Sequence, residues 1–420
     1  MPAVSSELAY VVLIFGLLVA PRALQRFHFP APLSCFALGM VAVRLLPPGH
    51  EYATLSLLAT LGISSLFLFA GLEIDLPGLR RGIGALAAHL LLRVLMIAAT
   101  TWLAIAVLGL SWQVGALVAL ALLTPSTGFI LESLPRLGLD AQERFWVTSK
   151  AIGGEILALG ALIAVLQSDT TQHLALSVAA LAAMLVGLPL LFIILGRLVV
   201  PYAPGSEFSL LVMVGLVAAY ITKQIGVYYL VGAFIAGLVA RLLRERMPAL
   251  ASTSNLHAVK LFASFFVPFY FFHSGMNVPD GAVQWAALEL GIVLTAVVLP
   301  IRIAIVWIQR RVLIRESSRN SLRVAVALAP TLIFTLVLAT ILRERFGLPD
   351  AWYGGLLVYG ALTTLLPSVT LARSFSLDVT ELGEEDAAAP AVTPAVTTDV
   401  TPAVTPANVP AGPIADETRE

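Results

Sequence analysis

The chain has little charge and almost no cysteine. Charged residues make up 12% and hydrophobic residues 59% of its 420 positions, and the mean hydropathy is +0.94, whereas about a quarter of an ordinary soluble domain is charged. Positive and negative charges balance, so net charge indicates neither a nucleic-acid partner nor an acidic substrate. The single cysteine, Cys35, excludes an intramolecular disulfide and a cysteine metal cluster. Water is therefore not the main solvent of this chain.

Signatures of several enzyme classes are also missing. The sequence contains no Gly-x-Gly-x-x-Gly after a strand, no phosphate-binding Gly-Lys-Ser/Thr loop, no His-Glu-x-x-His and no Cys/His ligand spacing. The first apolar stretch has no basic region before it and no small-residue cleavage site after it, so we interpret it as a retained span. We expect a membrane protein that is not an enzyme, needs no cofactor and takes energy for uphill transport from an ion gradient.

Apolar segments of membrane-spanning length fill most of the chain. A helix that crosses about 30 Å of hydrocarbon needs about 20 apolar residues. The sequence therefore predicts an all-α polytopic membrane protein with about 13 transmembrane helices, near residues 8–21, 31–47, 54–74, 83–109, 114–134, 142–166, 173–199, 207–223, 227–243, 258–276, 283–309, 320–342 and 350–372. We assign residues 1–375 to this transmembrane domain.

The distribution of Lys and Arg predicts the orientation in the inner membrane. One set of connections is basic, and it contains Arg22, Arg26, Arg80, Arg81, Arg136, Arg144, Arg197, Arg241, Arg244, Arg246, Lys260, Arg310, Arg311, Arg315 and Arg319. The opposite set carries little beyond Lys223, Arg343 and Arg345. Because cytoplasmic loops are the basic ones, we expect a periplasmic N-terminus and a cytoplasmic C-terminus.

The last 45 residues differ in character from the rest. Residues 376–420 begin with an acidic patch at 384–386 and continue as repeats of Pro-Ala-Val-Thr. Prolines at that spacing block helix and sheet, so we expect a disordered cytoplasmic tail rich in Pro, Ala, Val and Thr. A binding role for this tail is the alternative.

Two predicted spans are interrupted by proline. Pro125 breaks the fifth span between Thr124 and Ser126-Thr127, and Pro330 breaks the twelfth before Thr331. A break inside lipid frees backbone groups that water cannot reach, so it persists where it lines a cavity. Paired breaks in two halves of a transporter indicate crossing helices between inverted repeats around a midplane site. Ordinary proline kinks are the alternative.

Glu155 is the strongest candidate for a transported-ion site. It lies well inside the sixth span after Gly153 and Gly154, at a depth where a charge costs at least about 2.5 to 3.5 kcal/mol and is usually functional. A desolvated carboxyl group holds a proton tightly, and its oxygens also suit Na⁺ or K⁺ as the transported metal ion. Thr124, Ser126 and Thr127 are candidate additional ligands. The alternative is a structural Glu neutralised by a buried arginine.

Two basic residues are candidate charge partners for Glu155. Arg302 lies two residues after Pro300 in the eleventh span, which we expect to be the counterpart of the sixth, and Lys150 precedes Glu155 by five residues. Arg302 can pair with the carboxylate or screen the negative helix ends at the crossing. Arg93 and His89 lie one turn apart and have two equally good interpretations. They form a water-accessible pair, or their side chains reach toward the membrane interface.

Four stretches resemble the cation:proton antiporter superfamily, in the branch of the Kef-type exchangers and bacterial Na⁺/H⁺ antiporters. They are residues 66–75, which end in Gly-Leu-Glu-Ile-Asp, the Gly-Ala-Phe-Ile-Ala-Gly run at 232–237, the Phe-Phe-His-Ser-Gly-Met run at 271–276, one residue short of the family's element, and Thr-Pro-Ser-Thr at 124–127. The resemblance covers roughly residues 8–374. We also expect the small residues of 232–237 to form a close-packing surface for neighbouring helices.

The resemblance implies an essential acid at Glu155, a basic partner at Arg302 and a homodimer. Family members usually carry Asp at the essential position after Asp, Asn or Gln, whereas this chain has Gly154-Glu155. Ion selectivity therefore does not carry over, and the single carboxylate favours electroneutral exchange. The sequence shows no nucleotide-binding domain after the membrane part, so we do not expect regulation by that route.

The sequence as a whole predicts exchange of Na⁺ or K⁺ for protons, with Glu155 binding each in turn. A Na⁺-coupled symporter of a small organic anion on the same broken helices is one alternative, in which helix N-termini and Arg302 meet a carboxylate. A membrane scaffold or sensor without transport is the other, although it gives no reason for a buried carboxyl group.

Overall fold

The structure is a computed structural model. It describes residues 6–371 except 28, 46–52, 75–81, 169–170, 226–227, 245–246 and 248–251. The tail expected at 376–420 lies outside the described residues, as do three residues of the basic connections, Arg80, Arg81 and Arg246.

The described residues form helices and turns, with no β-strand among them. This confirms the all-α prediction. The α-helices are α1 Ser6–Gln25, α2 Ala31–Leu45, α3 Ala53–Leu72, α4 Ile83–Leu108, α5 Trp112–Leu123, α6 Thr127–Ser133, α7 Ala141–Leu166, α8 Thr171–Leu198, α9 Glu207–Gln224, α10 Tyr229–Leu242, α11 Thr253–Met276, α12 Trp285–Gln309, α13 Ser318–Ala327, α14 Leu332–Phe346 and α15 Asp350–Thr370.

Each predicted span coincides with one helix or with one interrupted pair, but the number of crossings is not confirmed. By length and composition, 8 helical segments can cross a membrane, or up to 9 if α13 and α14 form one bent span. Three further apolar helices are shorter, at Val11–Gln25, Ala31–Arg44 and Tyr229–Leu242. A 15-residue helix such as α2 is about 23 Å long, less than the hydrocarbon thickness of about 30 Å. These three short helices, together with α15, which is 21 residues long but is not among the candidate spans, account for the difference from about 13.

Both predicted interruptions are present. The chain leaves α5 at Leu123 and re-enters a helix at Thr127, with Pro125 in the gap. It leaves α13 at Ala327 and re-enters at Leu332, with Pro330 in the gap and a bend of 42°. Each gap keeps the proline out of helical hydrogen bonding, where its missing N–H would leave a carbonyl without a donor.

The helices form two groups. In the first, α3 packs against α9, α10 and α11, and α2 packs against α11; the second contains α4 to α7 and α12 to α15. In the first group a β-carbon on Gly237 would collide with the carbonyl of Leu68, and one on Gly232 with the carbonyl of Ala218. The prediction that residues 232–237 form a close-packing surface is thus confirmed.

The second group contains the predicted repeats. Each repeat consists of a long helix with a buried arginine, an interrupted span and a third helix, so that α4 corresponds to α12, α5–α6 to α13–α14, and α7 to α15. The expectation that the eleventh span is the counterpart of the sixth was therefore wrong. The counterpart of Arg302 is Arg93, because each donates to the end of its own repeat's interrupted helix.

Candidate functional site

The two interruptions are joined directly by hydrogen bonds. The backbone N–H of Ser126 donates to the carbonyl of Pro330 at 2.8 Å. The Ser126 hydroxyl accepts from the N–H groups of Ile333 at 3.0 Å and Phe334 at 3.4 Å, so it caps the N-terminus of α14. We expected Ser126 to bind the ion. Its hydroxyl oxygen instead accepts the two bonds from Ile333 and Phe334, and the residue connects one broken span to the other.

The free carbonyls at the end of α5 are met by donors from three other helices. Thr335 of α14 donates its hydroxyl to Ala121 O at 2.8 Å, and Tyr359 of α15 donates its hydroxyl to Leu122 O at 2.5 Å. The Leu123 carbonyl accepts from the guanidinium of Arg93 in α4. A helix end inside a membrane needs such partners because no water is present to replace them.

Arg302 does the same at the end of α13. Its Nη2 donates to Leu328 O at 3.2 Å, and its Nη1 donates to Ala329 O at 3.1 Å and to the Tyr359 hydroxyl at 2.9 Å. Arg302 was expected either to pair with Glu155 or to screen a negative helix end. The geometry agrees with the second role, because its fixed positive charge lies against the negative end of a broken helix. Arg93 and Arg302 are 7% and 6% exposed, so neither reaches toward an interface.

Glu155 lies where α7 passes the first interruption, and it is 1% exposed. The preceding Gly154 lies beside the first interruption, since a β-carbon there would be in ordinary van der Waals contact with the Pro125 ring at 3.4 Å and with the Arg93 guanidinium at 3.5 Å. The carboxyl group lies beside the backbone N–H and the hydroxyl of Thr127, at the start of α6. The positive end of that half-helix therefore faces the carboxylate.

Three buried oxygens near this interruption have no hydrogen-bond partner among the described residues. They are Oε2 of Glu155 and the hydroxyl oxygens of Thr124 and Thr127; the latter is near the carboxyl group but does not complete a hydrogen bond with it. Buried polar atoms are rarely unpaired, and an unpaired carboxylate oxygen is especially costly. Carboxylate and hydroxyl oxygens are the ligands that hard cations prefer. The arrangement can accept a cation, or a proton on the carboxyl group.

Neither predicted charge partner contacts the Glu155 carboxyl group. The ion pairs of the described residues are Arg44–Asp280, Arg310–Glu316, Arg323–Glu143 and Arg343–Asp350. Arg302 is held by helix carbonyls, and Lys150 lies about 140° around α7 from Glu155 at 100° per residue. Glu155 is therefore not paired with a buried arginine, which was the alternative interpretation of this residue.

Lys150 belongs to a second buried polar cluster. Its Nζ donates to Gln309 Oε1 at 3.0 Å, and Nδ1 of His89 lies 3.1 Å from the same oxygen. Since that oxygen only accepts, Nδ1 is the protonated nitrogen of His89. His89 also lines a cavity of about 20 Å³ together with Arg93 and Arg302, which has room for about one water molecule.

Sequence reasoning named Ser126 and Thr331 at the two breaks but missed the other hydroxyl groups that hold the crossing together, those of Tyr359, Thr335 and Thr363. Tyr359 and Thr335 each bond a carbonyl more than 200 positions away in the chain, and Thr331 lies 3.0 Å from Thr363 through their hydroxyl oxygens. Hydroxyl side chains are common in membrane helices, so their presence alone is a weak signal. The signal available in the sequence is their position: Thr335 lies in α14, directly after Pro330, and Tyr359 and Thr363 lie in the next helix, α15.

A family model described as sodium/hydrogen exchanger, transmembrane, matches residues 9–376. The chain belongs to the sodium/hydrogen exchanger family. This confirms the resemblance noted from its motifs, within the monovalent cation:proton antiporter superfamily. The family consists of transporters and not enzymes, and this member is a multi-pass membrane protein. None of the curated proteins compared with it matches.

Solved structures share the exchanger's fold. The sodium proton antiporter MjNhaP1 from Methanocaldococcus jannaschii at pH 8 superimposes with a TM-score of 0.63 at 13% identity, over 87% of this chain and 96% of that chain. Another structure of the same antiporter, from electron microscopy, has a TM-score of 0.60 at 16% identity, over 86% of this chain and 94% of that one. At these identities the likeness establishes the fold alone.

Proposed function

We propose that this exchanger carries Na⁺ or K⁺ one way and protons the other way across the inner membrane, with Glu155 binding each in turn. The observation that carries the proposal is a buried carboxylate without a cationic partner among the described residues, next to two unpaired threonine hydroxyls. An ion held by Glu155, Thr124 and Thr127 supplies the charge and the ligands that these oxygens lack. A proton on Glu155 supplies the charge alone.

The competition between the two ligands couples their transport. The site carries the same net charge whether Glu155 holds one proton or one monovalent cation. The empty carboxylate is negative and costs more to move through the hydrocarbon layer. Only the two occupied forms therefore cross at a useful rate, and exchange of one cation for one proton is electroneutral. We place the N-terminus in the periplasm and the C-terminus in the cytoplasm, and propose a homodimer.

The alternative symport function is disfavoured by size. Arg93 and Arg302 supply the positive charge that an organic anion requires, but the cavity they share, about 20 Å³, has room for about one water molecule. Counterflow separates the two functions. An antiporter dissipates a preset pH gradient when Na⁺ or K⁺ alone is added, whereas a symporter also needs its organic solute.

The deciding experiment uses purified protein in liposomes that contain a pH-sensitive dye. Na⁺, K⁺ and Li⁺ are added in turn to the wild type, to Glu155→Gln and to Glu289→Gln, a control that removes an exposed carboxylate from α12. We expect Glu155→Gln to abolish cation-driven proton flux and Glu289→Gln to keep it. Full flux in a folded Glu155→Gln variant would remove Glu155 from the mechanism.

The same liposomes test charge balance. With the membrane potential clamped by valinomycin and K⁺, an electroneutral exchanger keeps its Na⁺-driven rate. A rate that rises several-fold under the clamp would show that net charge moves, and the one-for-one exchange would be wrong. This outcome leaves the role of Glu155 intact, because it concerns only the number of protons.

A further inference from the structure

A long apolar groove lies between the two helix groups, away from Glu155. Its volume is about 530 Å³, within the range of pockets that hold a small molecule. One wall is α2 and the other is α15, and the turn between α11 and α12 closes one end. The only polar side chain among its lining residues is Gln284, so the groove offers nothing to a cation or to a water-soluble organic ion.

The walls are two facing helical stripes. On α2 the lining residues are Leu33, Phe36, Ala37 and Met40, and on α15 they are Gly354, Leu357, Val358, Ala361 and Leu365. Both sets follow the spacing of one helix face. The α15 stripe covers 11 residue steps, about 16 Å at 1.5 Å per residue, which is close to half of the hydrocarbon thickness of about 30 Å. The groove therefore has the length of one leaflet.

A pair of opposite charges marks the mouth of the groove. Arg44 lies one turn beyond Met40 on α2, and it pairs at 2.7 Å with Asp280, in the turn that closes the groove. The two side chains are 60% and 90% exposed. Trp285, 79% exposed, lines the groove close by, and exposed tryptophan is typical of the membrane–water interface. The polar end of the groove thus lies at headgroup depth.

We propose that this groove binds one acyl chain of a zwitterionic aminophospholipid. The phosphate lies at Arg44, the ammonium group at Asp280, and the chain runs inward along α2 and α15. The two charges of such a headgroup then match the two charges of the Arg44–Asp280 pair, whereas an anionic headgroup matches Arg44 alone. Because lipid tails are as apolar as the groove, burial of the chain gives little preference by itself, and selectivity comes from the headgroup.

The lipid would touch both helix groups, because α2 packs with α11 whereas α15 packs with α12 and α14. A lipid in the groove therefore lies between the two groups along about the length of one leaflet. The proposal is independent of which ions the exchanger carries.

Photo-crosslinking in liposomes tests the proposal. The probe is a phosphatidylethanolamine with a diazirine on one acyl chain, and labelled peptides are identified by mass spectrometry. We expect adducts on the lining stripes of α2 and α15. Ala37→Phe, which fills the groove from an exposed wall position, should lose them, and Ala361→Phe should do so from the opposite wall. Ala106→Phe, at an exposed position of α4, is the matched control and should keep them.

Headgroup selectivity is tested by competition. Unlabelled phosphatidylethanolamine should displace the probe better than phosphatidylglycerol does, and Arg44→Gln should weaken labelling roughly fivefold, the effect of about one basic residue near a membrane surface. Labelling spread evenly over exposed helices and unchanged in both Phe variants would overturn the proposal. So would a loss of dimer in the Phe variants without loss of lipid adducts, since the groove would then belong to a second copy.

Discussion

Removal of one hydroxyl group from the candidate ion site gives a quantitative test. Thr127→Val keeps the shape of the side chain and replaces the buried oxygen nearest the Glu155 carboxyl group with a methyl group. The backbone N–H of residue 127 remains, so the contact between the start of α6 and the carboxylate is preserved. If the Thr127 hydroxyl is a ligand, the variant removes it from the cation site and keeps the backbone N–H beside the carboxylate.

The expected size follows from the energy of a polar contact with a charged group. Such contacts contribute about 1.5 to 3 kcal/mol, and each 1.4 kcal/mol is about tenfold in an equilibrium constant. The Na⁺ concentration for half-maximal antiport should thus rise between about tenfold and about 150-fold, as long as ion binding equilibrates before the site moves. The maximal rate should change much less.

The assay measures the rate of Na⁺-driven dissipation of a pH gradient over a wide range of Na⁺ concentration. Thr222→Val is the matched control, since Thr222 is as deeply buried as Thr127 but bonds only carbonyls of its own helix. An unchanged half-maximal Na⁺ concentration in Thr127→Val would refute the reasoning that this hydroxyl is a ligand. An equal increase in Thr222→Val would show that the assay responds to general destabilisation.

Three further predictions concern the crossing and the shared site. Tyr359→Phe removes the donor to Leu122 O and the acceptor of Arg302, so it should lower the free energy of unfolding by about 1 to 3 kcal/mol, measured as a lower melting midpoint in detergent; an unchanged midpoint contradicts it. Arg302→Lys should have lower stability and a lower maximal rate than the wild type, because one ammonium group cannot reproduce the planar fork that bonds two carbonyls and a hydroxyl. Melting and antiport assays measure both, and full activity would count against the prediction. Where Glu155 is mainly protonated, the half-maximal Na⁺ concentration should rise roughly tenfold for each unit by which pH falls; a value independent of pH would contradict competition.

Proline and hydropathy predicted the architecture because their effects are local. Pro125 and Pro330 each remove a backbone donor wherever the chain goes, so both breaks were visible in the sequence and both are confirmed. The number of crossings depends on whether short helices such as α2 traverse the bilayer, and that depends on their neighbours as well as on composition. The positions of the roughly 13 predicted spans therefore agree with the positions of the helices. Their number does not agree with the number of helices that are long and apolar enough to cross.

The partners of the buried arginines were harder to predict because most of them are backbone carbonyls. Arg302 is a natural partner for Glu155 if only ionisable groups are considered. The carbonyls at the end of α13 compete for the same guanidinium, and they lie only 26 and 27 positions away. Backbone carbonyls have no signature in the sequence. The neighbourhood of Thr124, Thr127 and Glu155 was predicted, and its role in ion binding stays a prediction.

Under the proposed function, the placement of the arginines is what would let a lone carboxylate act as a carrier. Arg93 and Arg302 each lie at the C-terminal end of a broken helix, where they offset the partial negative charge of that end and of its carbonyls. If either were instead paired with Glu155, the carboxylate would be neutralised permanently and neither a proton nor a cation would be needed. Because the helix ends hold both guanidinium groups, the negative charge of Glu155 is left for a mobile ion to balance. In the proposed mechanism, the separation of fixed charges from the carboxylate is therefore the structural condition for exchange at this site.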